Sequence, residues 1–202
     1  MMYIIYLAKM RYTPQHKQET RERIVRAASR HFRRRGGKGV AIADLMSNLD
    51  LTHGGFYRHF DNKEQLMAEA VAEGFEDVRD KFSAATKKAP PAEQLQVFIE
   101  RYLSLDHCAN PADGCPIAAL ASEIARYPRT LRVKIDRAMR EHIETLAKFL
   151  PGATEEERQR NCLVLVSGMS GALTVARTTA DPELRKTILE AAKEFYIKNF
   201  CE

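Results

Sequence analysis

No stretch of these 202 residues alternates apolar and polar side chains over the length of a strand, so a sheet has no pattern to form on. Cysteine is scarce. Cys108, Cys115, Cys162 and Cys201 lack C-x-x-C spacing and a partnered histidine pair, which excludes the usual zinc sites and a disulfide framework and leaves reduced thiols of a cytoplasmic protein as the expectation. A glycine-rich phosphate loop, a carboxylate pair and a metal cluster are all missing, so no cofactor and no metal are expected. An enzyme reading would rest on Cys108 as a nucleophile beside His107, and neighbours in sequence point apart on a helix. No apolar run reaches membrane-spanning length either. Met1 to Leu7 is apolar, but it is short and Lys9 and Arg11 follow it rather than precede it, which is not the layout of an export signal. Residues 1–12 therefore read as an N-terminal extension, with Met10 an alternative start.

What is present is ordinary in bulk and uneven in placement. Hydrophobic residues make up 45% and charged residues 29%, as in a globular protein. Residues 1–63 hold 13 Lys and Arg against 5 Asp and Glu, whereas residues 64–202 hold 19 against 22. A basic first third ahead of a mildly acidic remainder suggests that one end meets a polyanion.

Apolar residues recur at spacings of three and four in every sizeable segment, which predicts an all-α protein. A first helix opens at Thr13-Pro14 or Thr20 and ends at Gly36-Gly37. Its inner stripe is Ile24, Ala27, Ala28, His31 and Phe32, and its outer face carries Arg23, Arg26, Arg30, Arg33 and Arg34. Two short helices, Ile42 to Leu49 and Thr52 to Phe60, sit about three residues apart, the spacing of a helix-turn-helix. Asn62 with Gln65 caps a long helix carrying Leu66, Ala70, Phe75 and Phe82. Further helices follow. One carries Leu95, Phe98, Tyr102 and Leu105; one opens at Cys115-Pro116 and, being almost wholly apolar from Ile117 to Ala125, is expected at the centre. Pro128 begins another, with Met139 and His142 on its apolar face. Thr154 with Glu157 forms a capping box, and Asp181-Pro182 opens the last helix.

The stretch Ile24 to Leu66 resembles the TetR family of regulators. IVRAASRHFRRRG is similar to the family's first helix. Asp44-Leu45, Thr52-His53-Gly54-Gly55-Phe56-Tyr57-Arg58-His59-Phe60 and Asn62-Lys63-Glu64-Gln65-Leu66 follow its pattern [ST]-x-G-x-[FLI]-Y-x-[HY]-F-x-x-K-[ED]-x-L. The resemblance implies an N-terminal three-helix bundle with a helix-turn-helix over 13–66 and a larger helical domain over 67–202 that binds a ligand and dimerises. It also implies a repressor that grips a palindromic operator in double-stranded DNA and is released by a small molecule, in the cytoplasm and on the nucleoid when bound. Three departures stand out: Ala41 where the second helix is commonly capped by Ser or Thr, Asp50 for the turn glycine, and Met46 and Leu49 for small alanines, which should widen the crossing of the two short helices.

Thr52 caps the recognition helix and can meet a phosphate at its positive end. His53, Gly55 and Arg58 should face outward, with Arg58 able to fork onto a guanine, while Phe56 and Phe60 turn inward. The resemblance places Tyr57, His59 and Lys63 at phosphates. Two glycines leave a small base-reading surface, so the shape of the DNA should contribute. A nonspecific architectural DNA protein would use the same basic arm but would not need the acidic helices behind it.

In the larger domain, Tyr102, Cys115, Met139 and His142 are candidate pocket residues, polar handles and fillers on apolar helix faces. Gly168, Gly171, Ala172 and Phe195 are candidates for the dimer interface, because small residues admit close helix crossings. Cys115, expected at the N-cap before Pro116, suggests a second reading, a thiol sensor of electrophiles or oxidants on the same scaffold.

Overall fold

The computed structural model describes residues 14–202; the extension over 1–12, Met10 and Thr13 lie outside them. Among the described residues the secondary structure is helical with no strand. The α-helices are α1 (Pro14–Arg35), α2 (Ile42–Ser47), α3 (His53–Phe56), α4 (Lys63–Thr86), α5 (Gln94–Tyr102), α6 (Leu105–Ala109), α7 (Pro116–Ile124), α8 (Arg129–Ala147), α9 (Glu155–Thr178) and α10 (Pro182–Phe200). No described helix is long and apolar enough to cross a membrane.

The caps are mostly those the sequence expects. Asn62 accepts from the Gln65 amide at 2.8 Å, and the Gln65 side chain returns to the amide of Asp61 at 2.9 Å. Thr154 and Glu157 close a reciprocal box, and Asp181 accepts from Glu183 ahead of Pro182 at the first helical position. Ala41 gives α2 no side-chain cap. Asp50 takes the left-handed conformation at φ 58°. It ends α2 in a Schellman closure in which the Leu51 amide reaches Met46 O at 2.9 Å and the Asp50 amide reaches Ser47 O at 3.0 Å.

Two cores form. The first joins α1, α2 and α3 to α4, α7 and α8 through Ile24, Phe32, Leu45, Phe56, Phe60, Leu66, Phe75 and Leu120. The second gathers Phe82, Phe98, Ile99, Leu103, Leu146, Leu165, Met169 and Leu173 from α4, α5, α8 and α9. Burying each such side chain contributes on the order of 2 kcal/mol. Helix α4 feeds both cores and runs straight through the boundary expected at 66/67. Helix α7 touches both as well, through Leu120 on one side and Ala118 on the other, although Ala121 and Ser122 remain exposed.

Three expectations require correction. The helix through Leu95 stops at Tyr102 rather than continuing to Leu105. Ser104 accepts from the His107 amide at 3.1 Å and starts α6, which leaves Leu105 half exposed. The recognition helix spans four residues, not Thr52 to Phe60, since Arg58 and His59 turn back onto Gly55 and Phe56 by i to i+3 bonds. Arg33 does not lie on the outer face of α1 but is 4% exposed. Its Nη1 donates to Gly114 O at 2.7 Å, its Nη2 to Asp77 at 2.9 Å and its Nε to Ser29 O at 3.2 Å. Helix α1 is thus covered on two sides, which also buries Val25 and Ser29.

Because Arg33 stitches α1 to α4 and to the turn before α7, Arg33→Ala should destabilise the protein by about 2–4 kcal/mol, somewhat less than for a fully buried pair, since Asp77 keeps Lys81. Urea unfolding at fixed protein concentration reads the loss; a change below about 0.5 kcal/mol would show that the stitch carries no stability.

Candidate functional site

Thr52 stands at the N-cap of α3 and accepts from the Gly55 amide at 3.2 Å, so a polar group and the positive end of the helix share one point on the surface. Phe56 and Phe60 stack at 5.4 Å and are buried, and Met46 lies beneath Gly55, where a Cβ would come within 3.8 Å of its terminal methyl. On that apolar base His53, Tyr57 and Arg58 stand in solvent, Tyr57 at 62% exposure, with His53 edge-on to Tyr57 at 5.8 Å. Gly55 is half-buried behind them.

His59 and Lys63 are less open. Burial first, and then the charges of Lys17, Arg21 and Arg58, hold His59 below the usual imidazole range, so it is neutral and ringed by cations. Lys63 Nζ donates to Val40 O at 2.5 Å, tying the start of α4 to the loop before α2. Arg21, which the sequence did not single out, covers the Phe60 ring at 4.5 Å and pairs with Glu69 on α4. Thr52, His53, Gly55, Tyr57, Arg58, His59 and Lys63 therefore share one end of the molecule, on and beside α3.

A second feature is a cavity of about 500 Å³ between α4, α5, α6 and the turn at 111–114. Phe82, Phe98, Tyr102 and His107 follow one another along its wall, with ring centroids 4.7, 5.8 and 4.7 Å apart, and Lys81 and Asp113 supply charge. Burial would raise Asp113, but the hydrogen bond and charge of Lys81, with Arg30 and Arg33 behind it, hold its carboxyl below the usual range. His107 is fixed at both nitrogens: Nδ1 lies 2.6 Å from Tyr102 O, and Nε2 accepts from the Cys115 amide at 3.2 Å. With both ring nitrogens engaged by backbone, it has none to offer Cys108. Another cavity of similar volume is lined by Arg177, Arg185 and Lys186, but Arg177 and Arg185 already donate to main-chain carbonyls around it.

Of the four pocket candidates, Tyr102 alone lines the aromatic cavity. Its hydroxyl is 3.0 Å from Ser170 Oγ. Cys115 is the N-cap of α7 but is 2% exposed, its Sγ 3.9 Å from the same Ser170 oxygen. A thiol closed in this way offers reagents no path, and the thiol-sensor reading loses its footing. His142 and Met139 lie apart from it, on α8 against α4. His142 packs on Phe75 at 5.2 Å with Nδ1 unpartnered, and Met139 fills the first core.

The four interface candidates also divide. A Cβ on Gly168 would overlap the Tyr196 hydroxyl, so this glycine serves the crossing of α9 and α10 within one chain. Ala172 packs into the second core. Gly171 has nothing within 4 Å of where a Cβ would stand, and Phe195 is 58% exposed. Val164 and Val175 on α9 and Leu184 on α10 are about half exposed as well, residues that sequence reasoning missed. The signal was available as the repeat 164, 171, 175 on one helix and 184, 195 on the other. No comparable signal pointed to Lys81, Phe82, Phe98 or Asp113, which gather only when four elements meet.

Comparison with known proteins gives the family and the fold. Residues 24–70 match the family pattern described as bacterial regulatory proteins, tetR family, and residues 91–192 match that of the transcriptional regulator LmrA/YxaF-like C-terminal domain. The chain is 27% identical over 164 residues to the HTH-type transcriptional regulator LmrA of Bacillus subtilis (strain 168), covering 79% of this chain and 87% of that protein. It is 25% identical over 133 residues to the HTH-type transcriptional repressor DhaR of Mycobacterium sp. (strain GP1), covering 64% and 65%. Among solved structures, a TetR transcriptional regulator from Chloroflexus aurantiacus J-10-FL superposes with TM-score 0.69 at 28% identity over 91% of this chain and 95% of that one.

Burial lowers His142 to about 4, with the charge of Arg79 adding to it, and burial likewise lowers His107 to about 4. Both are neutral when folded and take up a proton near pH 6.5 when unfolded. The stability they contribute is complete above pH 6.5 and is lost as pH falls toward 4, up to about 3 kcal/mol for each. Unfolding free energies should therefore drop across that window, and His142→Leu should flatten the slope by about one proton. A slope unchanged in this variant would mean that His142 is charged in the folded protein.

Proposed function

Since this chain belongs to the TetR family of bacterial regulatory proteins, we propose that it acts as a homodimeric repressor that holds a near-palindromic operator and is released when a small molecule enters the aromatic cavity. That it is a DNA-binding transcriptional regulator follows from the family. The finer reading is carried by the surface of α3, where His53, Tyr57 and Arg58 project from a rigid apolar base beside a capped helix end. One such surface contacts too few base pairs to be specific, and two-fold symmetry doubles the site. The outer face of α9 and α10, with Val164, Gly171, Val175, Leu184 and Phe195, supplies an apolar surface that a second copy would cover. Repression is supported by the relative named a repressor, and a small-molecule effector by the cavity's size and its mixture of apolar walls with few polar groups. In this reading the protein works in the cytoplasm and sits on the nucleoid when bound.

Arg58 reads a base edge and Lys63 a phosphate. Arg58→Ala should relax base preference in a binding selection, whereas Lys63→Ala should weaken all sequences alike and flatten the salt dependence by about one unit. Light scattering should give a dimer, and the footprint should show two symmetric half-sites. A monomer in solution, an asymmetric footprint, or two variants with the same uniform loss would each overturn the corresponding assignment.

A further inference from the structure

Two arginines and a lysine line the second cavity, a space of about 500 Å³ where α6 meets the end of α9 and the start of α10. Both arginines serve as helix caps. Arg177 closes the end of α6, donating from Nε to Cys108 O at 3.1 Å and from Nη2 to His107 O at 2.9 Å. Arg185 closes the end of α9, donating from Nε to Ala176 O at 3.3 Å and from Nη2 to Thr179 O at 2.7 Å. Capping explains why the two are there. It leaves their charge unanswered.

Among the described residues no carboxylate lies within ion-pair distance of Arg177 or Arg185, and Lys186 meets only Glu190 of its own helix, at 3.8 Å. The one carboxylate in the wall, Glu183, pairs with none of the three. Arg177 is the least solvated of them: burial works against its charge, and its Nη1 is enclosed with no acceptor. A partly buried cation with only main-chain dipoles for partners is costly to keep, and an unmatched donor adds to the cost. The remainder of the wall, Leu105, Cys108, Ala109 and Pro182, is apolar, and Leu105 is half exposed there rather than seated in a core.

We infer that this cavity binds a small organic carboxylate, with its carboxyl group on Arg177 and Arg185 and its apolar body on Leu105 and Ala109. A carboxylate suits the guanidinium fork, since two oxygens in a plane match two N–H groups, and it brings Arg177 the acceptor and the negative charge that the fold does not supply. The apolar part of the wall selects against a bare inorganic anion, which gains nothing from Leu105. The site is separate from the aromatic cavity and shares no lining residue with it. Helix α6 stands between the two, with Asp106 and His107 in one wall and Leu105, Cys108 and Ala109 in the other. The inference therefore stands whatever the aromatic cavity takes. Because the carboxylate binds only where the fold brings α6, α9 and α10 together, it should also raise the unfolding midpoint.

Benzoate, its neutral isostere benzamide and inorganic phosphate provide the test with the full-length protein. Calorimetry gives their affinities, and amide NMR shifts give the place of binding. Benzoate should bind about tenfold or more tightly than either of the others, shift the amides of Ala109, Glu183 and Lys186, and raise the unfolding midpoint. Arg177→Gln should lose about tenfold or more of the benzoate affinity. Since Arg177 also caps α6, a second variant tests the site with both arginines in place. Ala109→Glu, at an exposed position, puts a tethered carboxylate into the cavity; it should raise the midpoint without ligand and abolish benzoate binding, whereas Ala109→Gln should bind benzoate as the wild type does. Benzamide or phosphate binding as tightly as benzoate, shifts confined to Phe98, Tyr102 and the rest of the aromatic cavity, or benzoate binding intact in both Arg177→Gln and Ala109→Glu would each overturn the inference. So would the absence of any saturable benzoate binding.

Discussion

A buried guanidinium organises this molecule. Arg33 is 4% exposed, and taking a cation out of water costs several kcal/mol unless its donors are met. Here they are met from three directions: by its own helix at Ser29, by α4 at Asp77 and by the turn before α7 at Gly114. None of these elements can shift without stranding the charge. The orientation of the DNA-binding helices against the larger domain is set by this site together with its neighbours, Arg30 on Asp113 and the Gly37 amide on Glu123 at 2.8 Å. The last contact is close enough that a Cβ on Gly37 would meet the Glu123 carboxylate at 2.7 Å. Helix α7 and the turn before it thus hold the C-terminal end of α1 at Arg30, Arg33 and Gly37.

The same economy governs the recognition surface. Glycines at 54 and 55 are poor helix formers, and α3 lasts only four residues before its bonds tighten to the i to i+3 pattern. What makes so short an element rigid is its underside, where Phe56 and Phe60 stack and Met46 fills the space below Gly55. The Schellman closure at Asp50 sets the angle at which α3 leaves α2. Asp tolerates the left-handed conformation better than most residues, at some cost relative to glycine.

Small residues serve different ends along α9. Gly168 admits the Tyr196 ring and so draws α10 against α9 within one chain, while Gly171, one turn on, faces outward among apolar side chains. The two are three residues apart on one helix, and sequence spacing places them on neighbouring faces without saying which is covered from within. Cys115 poses a similar ambiguity. Its position at the N-cap of α7 is legible from Pro116, but its closure beneath Ser170 and Tyr102 depends on α9, 55 residues further on, and on α5, which precedes it.

Sequence alone determined that the chain is helical, where most helices begin, and that two short helices precede a long one, because periodicity, caps and the motif are local properties. Thr52, Asn62, Thr154 and Asp181 cap where their spacing requires, since each bond spans three residues or fewer. Tertiary structure alone decided what depends on long-range contact. Arg33 looked like one more outward arginine in a basic helix and is buried because a second surface, from residues 111–114, closes over it. His142 and Tyr102 looked alike as polar groups on apolar faces, yet one lies in a packed core and the other on a cavity. The cavity itself, with Lys81, Phe82, Phe98 and Asp113, comes from segments whose separate patterns read as ordinary helix faces and a turn; packing density, which no local pattern encodes, determines where such faces fail to close.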